Sequence, residues 1–328
     1  MTAPQNPEQQ PYADLDPDTI LDAVEAVELE PTGGITALNS YENRVYQIAL
    51  EDGSFVIGKF YRPARLSDAA IEEEHTFTHE LADAELSCVA PLRLRGRTLH
   101  SHKDYRFALF PRQGGHPPDI EIEENLKVLA RTLARIHSVG RFGRFEHRGA
   151  LSVERYAVAS RTFLLESDFI PAELRPAYES TTEHLLERLS GLLDDAPMQR
   201  IHGDCHLGNL LWRDDTPHFI DFDDTLLGPP VQDLWMLLSG DRAEQQQQLD
   251  TIISAYEMFA DLDLRSLSLI EPLRTLRIMY HAAWIGRRWQ DPAFPPAFPW
   301  YDNGRYWSDH VLTLREQLAA LDEPPLLS

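Results

Sequence analysis

Residues 200–223 read Arg-Ile-His-Gly-Asp-Cys-His-Leu-Gly-Asn-Leu-Leu-Trp-Arg-Asp-Asp-Thr-Pro-His-Phe-Ile-Asp-Phe-Asp, and the rest of the chain is organised around them. Asp204 and Asn209 stand five positions apart; the apolar run Leu210-Leu211-Trp212 leads into a polar turn, and Phe219-Ile220 deliver a second carboxylate, Asp221. The pattern predicts a loop, a strand, a turn and a strand, with oxygen ligands at both ends. Phosphoryl transfer calls for such an arrangement, because its catalysis is mostly positioning plus neutralisation of charge. One carboxylate must take a hydroxyl proton, which fits Asp204. Asn209 and Asp221 offer the hard oxygen donors that magnesium prefers, so Asp221 is expected to be both metal ligand and catalytic residue.

His-Gly-Asp-Cys-His-Leu-Gly-Asn at 202–209, followed by Phe-Ile-Asp at 219–221, resembles the H-G-D-x-x-x-x-N and I-D signatures of the aminoglycoside phosphotransferase and choline kinase-like branch of the kinase fold. Within that branch the chain is most similar to the bacterial stress response kinase A family. The matching strings are L-N-S-Y-E-N-R-V-Y-Q at 38–47, K-F-Y-R-P at 59–63, H-G-D-C-H at 202–206 and G-P-P-V-Q-D-L-W-M-L-L at 228–238, spread over most of the chain. The resemblance implies an α+β, two-lobed protein kinase-like fold, with an antiparallel sheet and helices in the first lobe and a larger, mostly helical second lobe. It also implies an ATP- and magnesium-dependent enzyme that phosphorylates serine and threonine hydroxyls of proteins, its own included, in a stress response. Residue chemistry by itself stops at a hydroxyl acceptor.

Two other readings compete for the same stretch. Asp-Phe-Asp-Asp-Thr-Leu at 221–226 matches the nucleophile motif of the haloacid dehalogenase superfamily, but that chemistry needs a downstream cation, usually lysine. The only lysines are Lys59, Lys103 and Lys127, all upstream. A metal cluster of His202, Asp204 and His206 is possible on a strand, where alternate residues share a face. Gly203 and Gly208 argue instead for a bent loop, with His202 a buried, hydrogen-bonded brace.

Composition limits the setting. With 53 acidic and 30 basic residues the formal charge is −23, which opposes nucleic acids and anionic membranes as partners. No apolar run reaches the ~20 residues needed to span a bilayer, and the start of the chain lacks the features of a signal peptide. Two cysteines, Cys88 and Cys205, provide no disulfide framework. These features lead to the expectation of a cytoplasmic monomer.

Residues 1–14, rich in Pro and Gln, read as a disordered tail, residues 15–112 as the nucleotide-binding lobe and residues 113–328 as the catalytic lobe. Asp16-Pro17 starts a helix. Strands are expected over 44–48 and 55–61, joined by a turn at Glu51-Asp52-Gly53-Ser54, and over 97–99 and 107–110, in a five-stranded sheet. Ser40 and Asn43 stand where a phosphate-covering loop belongs, without the usual glycine-rich pattern, and Ser40 is the candidate nucleotide contact. Lys59 shares a strand face with apolar neighbours and needs a carboxylate partner. On the helix after Ser67, Glu74 falls within the stripe of Ile71, Phe77 and Leu81, whereas Glu72 and Glu73 point away; Glu74 is therefore paired with Lys59 to hold phosphate.

Pro111-Arg112-Gln113-Gly114-Gly115 reads as the hinge, with Phe110 and Arg112 offering backbone groups to adenine. Helices are expected over 126–140, 172–193, 242–260 and 266–290, and another after Gly228, where Asp233 is placed to brace the catalytic loop. Trp284, Trp289, Trp300 and Trp307 are assigned to the core. Asp221 and Gly228 are too close for a long activation loop. Three other outcomes stay open: a small-molecule kinase for an amino alcohol or sugar, a non-catalytic ATP-binding scaffold, and transfer of AMP instead of phosphate.

Overall fold

The computed structural model describes residues 10–326. The first lobe opens on α1 (Pro17–Glu25), whose N-cap Asp16 accepts the Thr19 amide at 2.7 Å, with Pro17 pre-set for the first turn. Five strands follow: β1 (Pro31–Ala37), β2 (Arg44–Leu50), β3 (Phe55–Phe60), β4 (His100–His102) and β5 (Tyr105–Pro111), antiparallel throughout in the order β1-β2-β3-β5-β4. Between β2 and β3, Gly53 takes a φ of 82° while Asp52 accepts the Ser54 amide at 2.9 Å, as a tight reversal requires.

One face of the sheet buries Ile48, Phe60, Phe107 and Leu109 against Ile20 and Val24 of α1. On the other face, α2 (Asp68–Asp83), capped by Ser67, packs Ile71 against Tyr61 and Ala108. Farther along the same helix, Phe77 and Leu81 belong to the large core of the second lobe. α2 therefore contributes to the cores of both lobes.

The second lobe contains α3 (Glu123–Gly140), a π turn (Glu154–Val158) running into α4 (Ala159–Glu166), α5 (Arg175–Leu189), β6 (Gln199–Ile201), β7 (Leu210–Arg213), β8 (Thr216–Phe219), β9 (Leu226–Gly228), α6 (Val231–Trp235), α7 (Arg242–Tyr256), α8 (Ile270–Arg287), α9 (Phe294–Ala297) and α10 (Gly304–Ala320). β7 pairs with β8 and β6 with β9, both antiparallel. That pairing removes the dehalogenase reading, which needs a parallel sheet around its nucleophile. Among the described residues no helix is long and apolar enough to cross a membrane.

Several expectations need correcting. The strand placed at 97–99 lies at 100–102, because Arg95 and Gly96, at φ of 51° and 77°, close a turn between Leu94 and Arg97, and Lys103 (φ 50°) makes the reversal into β5. The helix expected over 172–193 is α5, bounded by Pro176 in its first turn and by Gly191 at a φ of 74° just beyond its end. α4 and α10 have no counterpart among the expected helices. Of the expected disordered tail, residues 1–9 lie outside the described residues, but Pro11 is buried and the Tyr12 hydroxyl donates to the Glu42 carbonyl at 3.1 Å. The Tyr12 ring stacks on Tyr105 and lies under the Arg44 guanidinium at 4.3 Å; an aromatic in a polar tail has found apolar surface to cover.

α3 ends on Gly140, where a β-carbon would stand 2.1 Å from the Arg200 carbonyl oxygen that β6 presents. Gly140→Ala is expected to force α3 and β6 apart and to cost about 3 kcal/mol, measured as a lower urea midpoint with an unchanged slope.

Candidate active site

The catalytic loop is shaped by close approach and by a buried carboxylate. Gly203 has a φ of 85°, and a β-carbon there would lie 2.3 Å from the Asp224 carbonyl, so only glycine lets the loop cross behind the 221–224 turn. Asp233, fully buried in α6, accepts the amides of His202 and Gly203 at 2.8 Å each and sits 3.0 Å from His137 Nε2 of α3. The brace expected of Asp233 is present. His202 is also fully buried, its Nε2 3.0 Å from the Ile220 carbonyl and its Nδ1 3.4 Å from the Asp204 amide, so both ring nitrogens have a backbone partner. Among the described residues no group of three or more His, Cys, Asp or Glu side chains is placed to hold a metal ion, so the His202-Asp204-His206 cluster does not form. Cys205 is fully buried, and burial pushes its thiol well above the ordinary value; it fills the loop.

Asp204, Asn209 and Asp221 line one cavity of about 430 Å³ between the lobes, together with Ser40. Asn209 donates its Nδ2 to the Asp204 carbonyl at 2.9 Å, which leaves its amide oxygen available as an acceptor. The Ile220 amide bonds to the Asn209 carbonyl at 3.1 Å, fixing Asn209 beside the strand that leads to Asp221. Asp221 takes a left-handed backbone, φ 59° and ψ 65°, a conformation uncommon outside glycine and concentrated at functional sites. Its carboxylate is about half exposed (47%) and accepts Lys59 Nζ at 2.8 Å. Asp204 is ion-paired through Oδ1 to Arg277 of α8, with His206 Nε2 3.5 Å from Oδ2. Burial opposes the Asp204 charge, but the Arg277 guanidinium, helped by His206, outweighs it and holds the carboxyl below its usual value.

Lys59 and Glu74 are both buried as expected, at 6% and 2% exposure. Their pairing is not the expected one. Lys59 Nζ lies 2.8 Å from Asp221 and 2.5 Å from Asp223, and no oxygen of Glu74 comes within 4 Å of it. Burial works against the Lys59 charge, yet Asp221, Asp223 and Glu74 together raise its pKa well above the usual lysine value. Glu74 faces Arg148 at 3.7 Å instead. The helix period gave the inward direction of Glu74; which carboxylate stands nearest Lys59 was decided by the turn after Asp221, which brings up two. Glu73 does not point away either: it accepts the amides of Glu146, His147 and Arg148 at 2.6–3.1 Å, anchoring α2 to the second lobe.

Ser40 Oγ donates to the Asn43 carbonyl at 3.2 Å, while Asn43 donates Nδ2 to Asp223 and accepts the Arg62 amide at 3.0 Å. Phe110 and Arg112 are outside the cavity lining: Phe110 packs at the end of β5 opposite Ile57, and Arg112 Nε reaches Gln47 at 2.6 Å. Trp307 is core and Trp289 packs partly buried against it; Trp284 also packs against the core but forms part of the cavity wall and donates its indole N–H to Glu42 at 2.7 Å, whereas Trp300 is exposed and not core as expected. Sequence reasoning missed Arg277 and Asp223. A signal for Arg277 existed, since Leu273, Leu276, Arg277, Tyr280, His281 and Trp284 recur at helical spacing and all line the cavity.

The phosphotransferase enzyme family profile matches residues 34–269, more than half of the chain and all of the catalytic-loop and first-lobe site residues, but it ends before α8 and so leaves Arg277 and Trp284 outside it. The chain belongs to the phosphotransferase enzyme family. It is 43% identical over 316 residues, 96% of either chain, to a protein of Escherichia coli strain K12 named Stress response kinase A, and equally identical over the same share to a Salmonella typhimurium protein named Serine/threonine protein kinase RdoA. Among solved structures it is similar to an amicoumacin kinase bound to AMP-PNP, Ca2+ and the antibiotic (TM-score 0.71, 19% identity, 92% of this chain and 93% of that one). A microcompartment-associated aminopropanol kinase gives a TM-score of 0.68 at 20% identity, covering 91% of this chain and 100% of that one. The kinase fold is thereby established, as is membership of the stress response kinase A group.

Burial pushes Glu74 up to about 7 from 4.5, with Asp223 adding to the shift and Lys59 and Arg148 pulling against it. Between those values the folded kinase keeps a proton that the unfolded chain has released, so this group makes stability fall as pH rises through the window. Glu74→Gln removes the titration. Its stability relative to the parent is expected to rise from pH 5 to pH 8 by up to about 3 kcal/mol, read from urea midpoints at each pH.

Proposed function

We propose that this phosphotransferase moves the γ-phosphoryl group of ATP, with magnesium, to serine or threonine hydroxyls of protein. The observation that carries the reading is the meeting of Asp204, Asn209 and Asp221 in one cavity, with Lys59 ion-paired to Asp221. The acceptor oxygen attacks the γ-phosphorus, its proton passes to Asp204, and the bond to the β–γ bridging oxygen breaks, releasing ADP. Asp204 is a weak base because Arg277 holds it ionised. That suits a loose transition state, in which the hydroxyl proton is transferred late and positioning contributes most.

Asn209 and Asp221 offer an amide oxygen and a half-exposed carboxylate, a hard donor set that fits magnesium with part of its water shell kept. Magnesium, when bound, neutralises charge on the phosphate oxygens. Lys59 is placed to exchange Asp221 for phosphate oxygens while Asp223 keeps it oriented, and Glu74 supports its charge from behind. Ser40 is proposed to offer its turn to a phosphate, and the backbone around Phe110 and Arg112 to meet adenine. The protein acceptor rests on the 43% identity to the Salmonella typhimurium protein that carries that name.

A second reading has its own support. The cavity of about 430 Å³, walled by Tyr280, Trp284 and Phe298, is the size of a small-molecule site, and the amicoumacin and aminopropanol kinases share the fold. Incubation with γ-labelled ATP, magnesium and a basic protein, beside a parallel series of amino alcohols, separates the two. Label on protein from the parent and not from Asp204→Ala is expected; consumption of an amino alcohol with no labelled protein would sink the protein-kinase reading.

Asp204→Asn is expected to lower kcat about a thousandfold with little change in nucleotide affinity. Arg277→Gln frees the base of its cation. The acid limb of the kcat/KM profile is then expected to move to higher pH than in the parent, a shift that mere loss of packing would not produce.

A further inference from the structure

A second cavity, of about 870 Å³, flanks the 221–226 turn on the side away from Asp204, and six arginines line it: Arg62 and Arg65 after β3, Arg148 after α3, Arg155 in the π turn, and Arg287 and Arg288 at the end of α8. For a chain of formal charge −23 this is a marked concentration of cations. Their neutralisation is incomplete. Glu42 alone serves Arg62, Arg65 and Arg288, at 3.8, 3.7 and 2.6 Å, and Asp291 is divided between Arg44 and Arg62 at 3.0 and 2.7 Å. Arg65 also reaches Asp223 and Asp224, at 3.1 and 2.6 Å. Arg148 is committed to the carbonyls of Ala70, Asp223 and Thr225.

Arg155 and Arg287 differ from the other four. Among the described residues neither has a carboxylate within 4 Å: Arg287 donates to the Ala159 carbonyl at 2.8 Å, and the Arg155 guanidinium lies over the Tyr156 ring at 5.6 Å. Both are exposed, whereas Arg65 and Arg288 of the same wall are half-buried. The wall holds six arginines and no lysine, and the planar fork of arginine matches the oxygens of a phosphate in pairs. The net charge of the whole chain repels a long polyanion, whereas a single phosphate group fits inside the cavity, where six arginines outnumber the two carboxylates of the wall, Asp223 and Asp224.

We propose that this cavity binds a phosphate dianion, with Arg155 and Arg287 as its uncommitted cations. The site is separate from the phosphotransfer cavity but adjoins it, since Asp223 and Asp224 line both. Free phosphate and a phosphorylated serine offer the same chemistry. The inference does not rest on the acceptor of the phosphotransfer reaction, because its test reads binding directly.

The full chain, with AMP-PNP and magnesium present to fill the nucleotide site, is titrated by calorimetry with inorganic phosphate in one arm. A phosphoserine peptide and its unphosphorylated counterpart fill the other. Saturable binding in at least one arm is expected, weakened about tenfold or more by Arg155→Ala/Arg287→Ala while AMP-PNP affinity stays within about twofold. Peptide binding no tighter than phosphate assigns the site to free phosphate; tighter binding that needs the phosphoryl group assigns it to a phosphorylated chain. Arg155→Ala alone, at an exposed side chain, gives the same direction should the double variant fold poorly. Absence of saturable binding in both arms, or binding that the variants retain in full, overturns the proposal.

Discussion

Asp223 is the carboxylate on which the two lobes meet. It belongs to the second lobe and is buried at 6% exposure, yet its partners come from the first: Lys59 of β3 at 2.5 Å, Arg65 at 3.1 Å and the Asn43 amide. Its own carbonyl accepts Arg148. A carboxylate this deep is tolerable only when its lone pairs are filled by cations and donors, and removing one partner leaves a buried charge uncompensated. Burial pushes against its ionisation, but Lys59 and Arg65 hold it well below the usual carboxylate range. The 221–224 turn is therefore anchored to the sheet of the other lobe, and the left-handed backbone of Asp221 is held from outside itself.

From the opposite side, Asp233 performs the matching task within the second lobe. Two amides of the catalytic loop and His137 of α3 converge on it, so the loop is referred to α3 and α6 while the turn is referred to β3. Asp204 and Asp221 thus approach one cavity from two separately braced segments. Neither bracing carboxylate, Asp223 or Asp233, needs to touch a reacting atom. Their work is to keep the exposed carboxylate of Asp221 and the Arg277-paired carboxylate of Asp204 where the chemistry proposed for them requires.

What could be read beforehand follows from which physical constraint is local. Asp204, Asn209 and Asp221 stand within one loop and at the end of one hairpin, so their spacing carries their proximity. The inward direction of Lys59 and Glu74 follows from strand and helix periods, and both are buried. The partner of Lys59 was not legible, since periodicity gives a side chain its direction and says nothing of how many opposite charges another element brings to the same place. Arg277 is far from Asp204 in the sequence; helical spacing groups it with the α8 residues that line the cavity, but only the packing of α8 across the loop brings it to Asp204. The strand expected at 97–99 failed for a different reason. Arg95 and Lys103 adopt positive φ, which no local propensity for those residues suggests.

The wall of the cavity that holds Asp204, Asn209 and Asp221 is mechanically tied to the loop that stands over it. Trp284 lines the cavity on α8 and donates to Glu42 at 2.7 Å, and Glu42 lies between Ser40 and Asn43 in that loop. Glu42 in turn gathers Arg62, Arg65 and Arg288, and Asn43 holds Asp223. An acceptor that shifts Trp284 therefore acts on the 39–43 loop, and through Asn43 on the carboxylate that orients Lys59. A buried ion network of this kind does not deform in small steps, because each lost pair leaves a charge without compensation. Acceptor fit and nucleotide grip are thus expected to change together: a ligand that leaves Trp284 and Glu42 in contact keeps Lys59 oriented, and one that parts them loosens it.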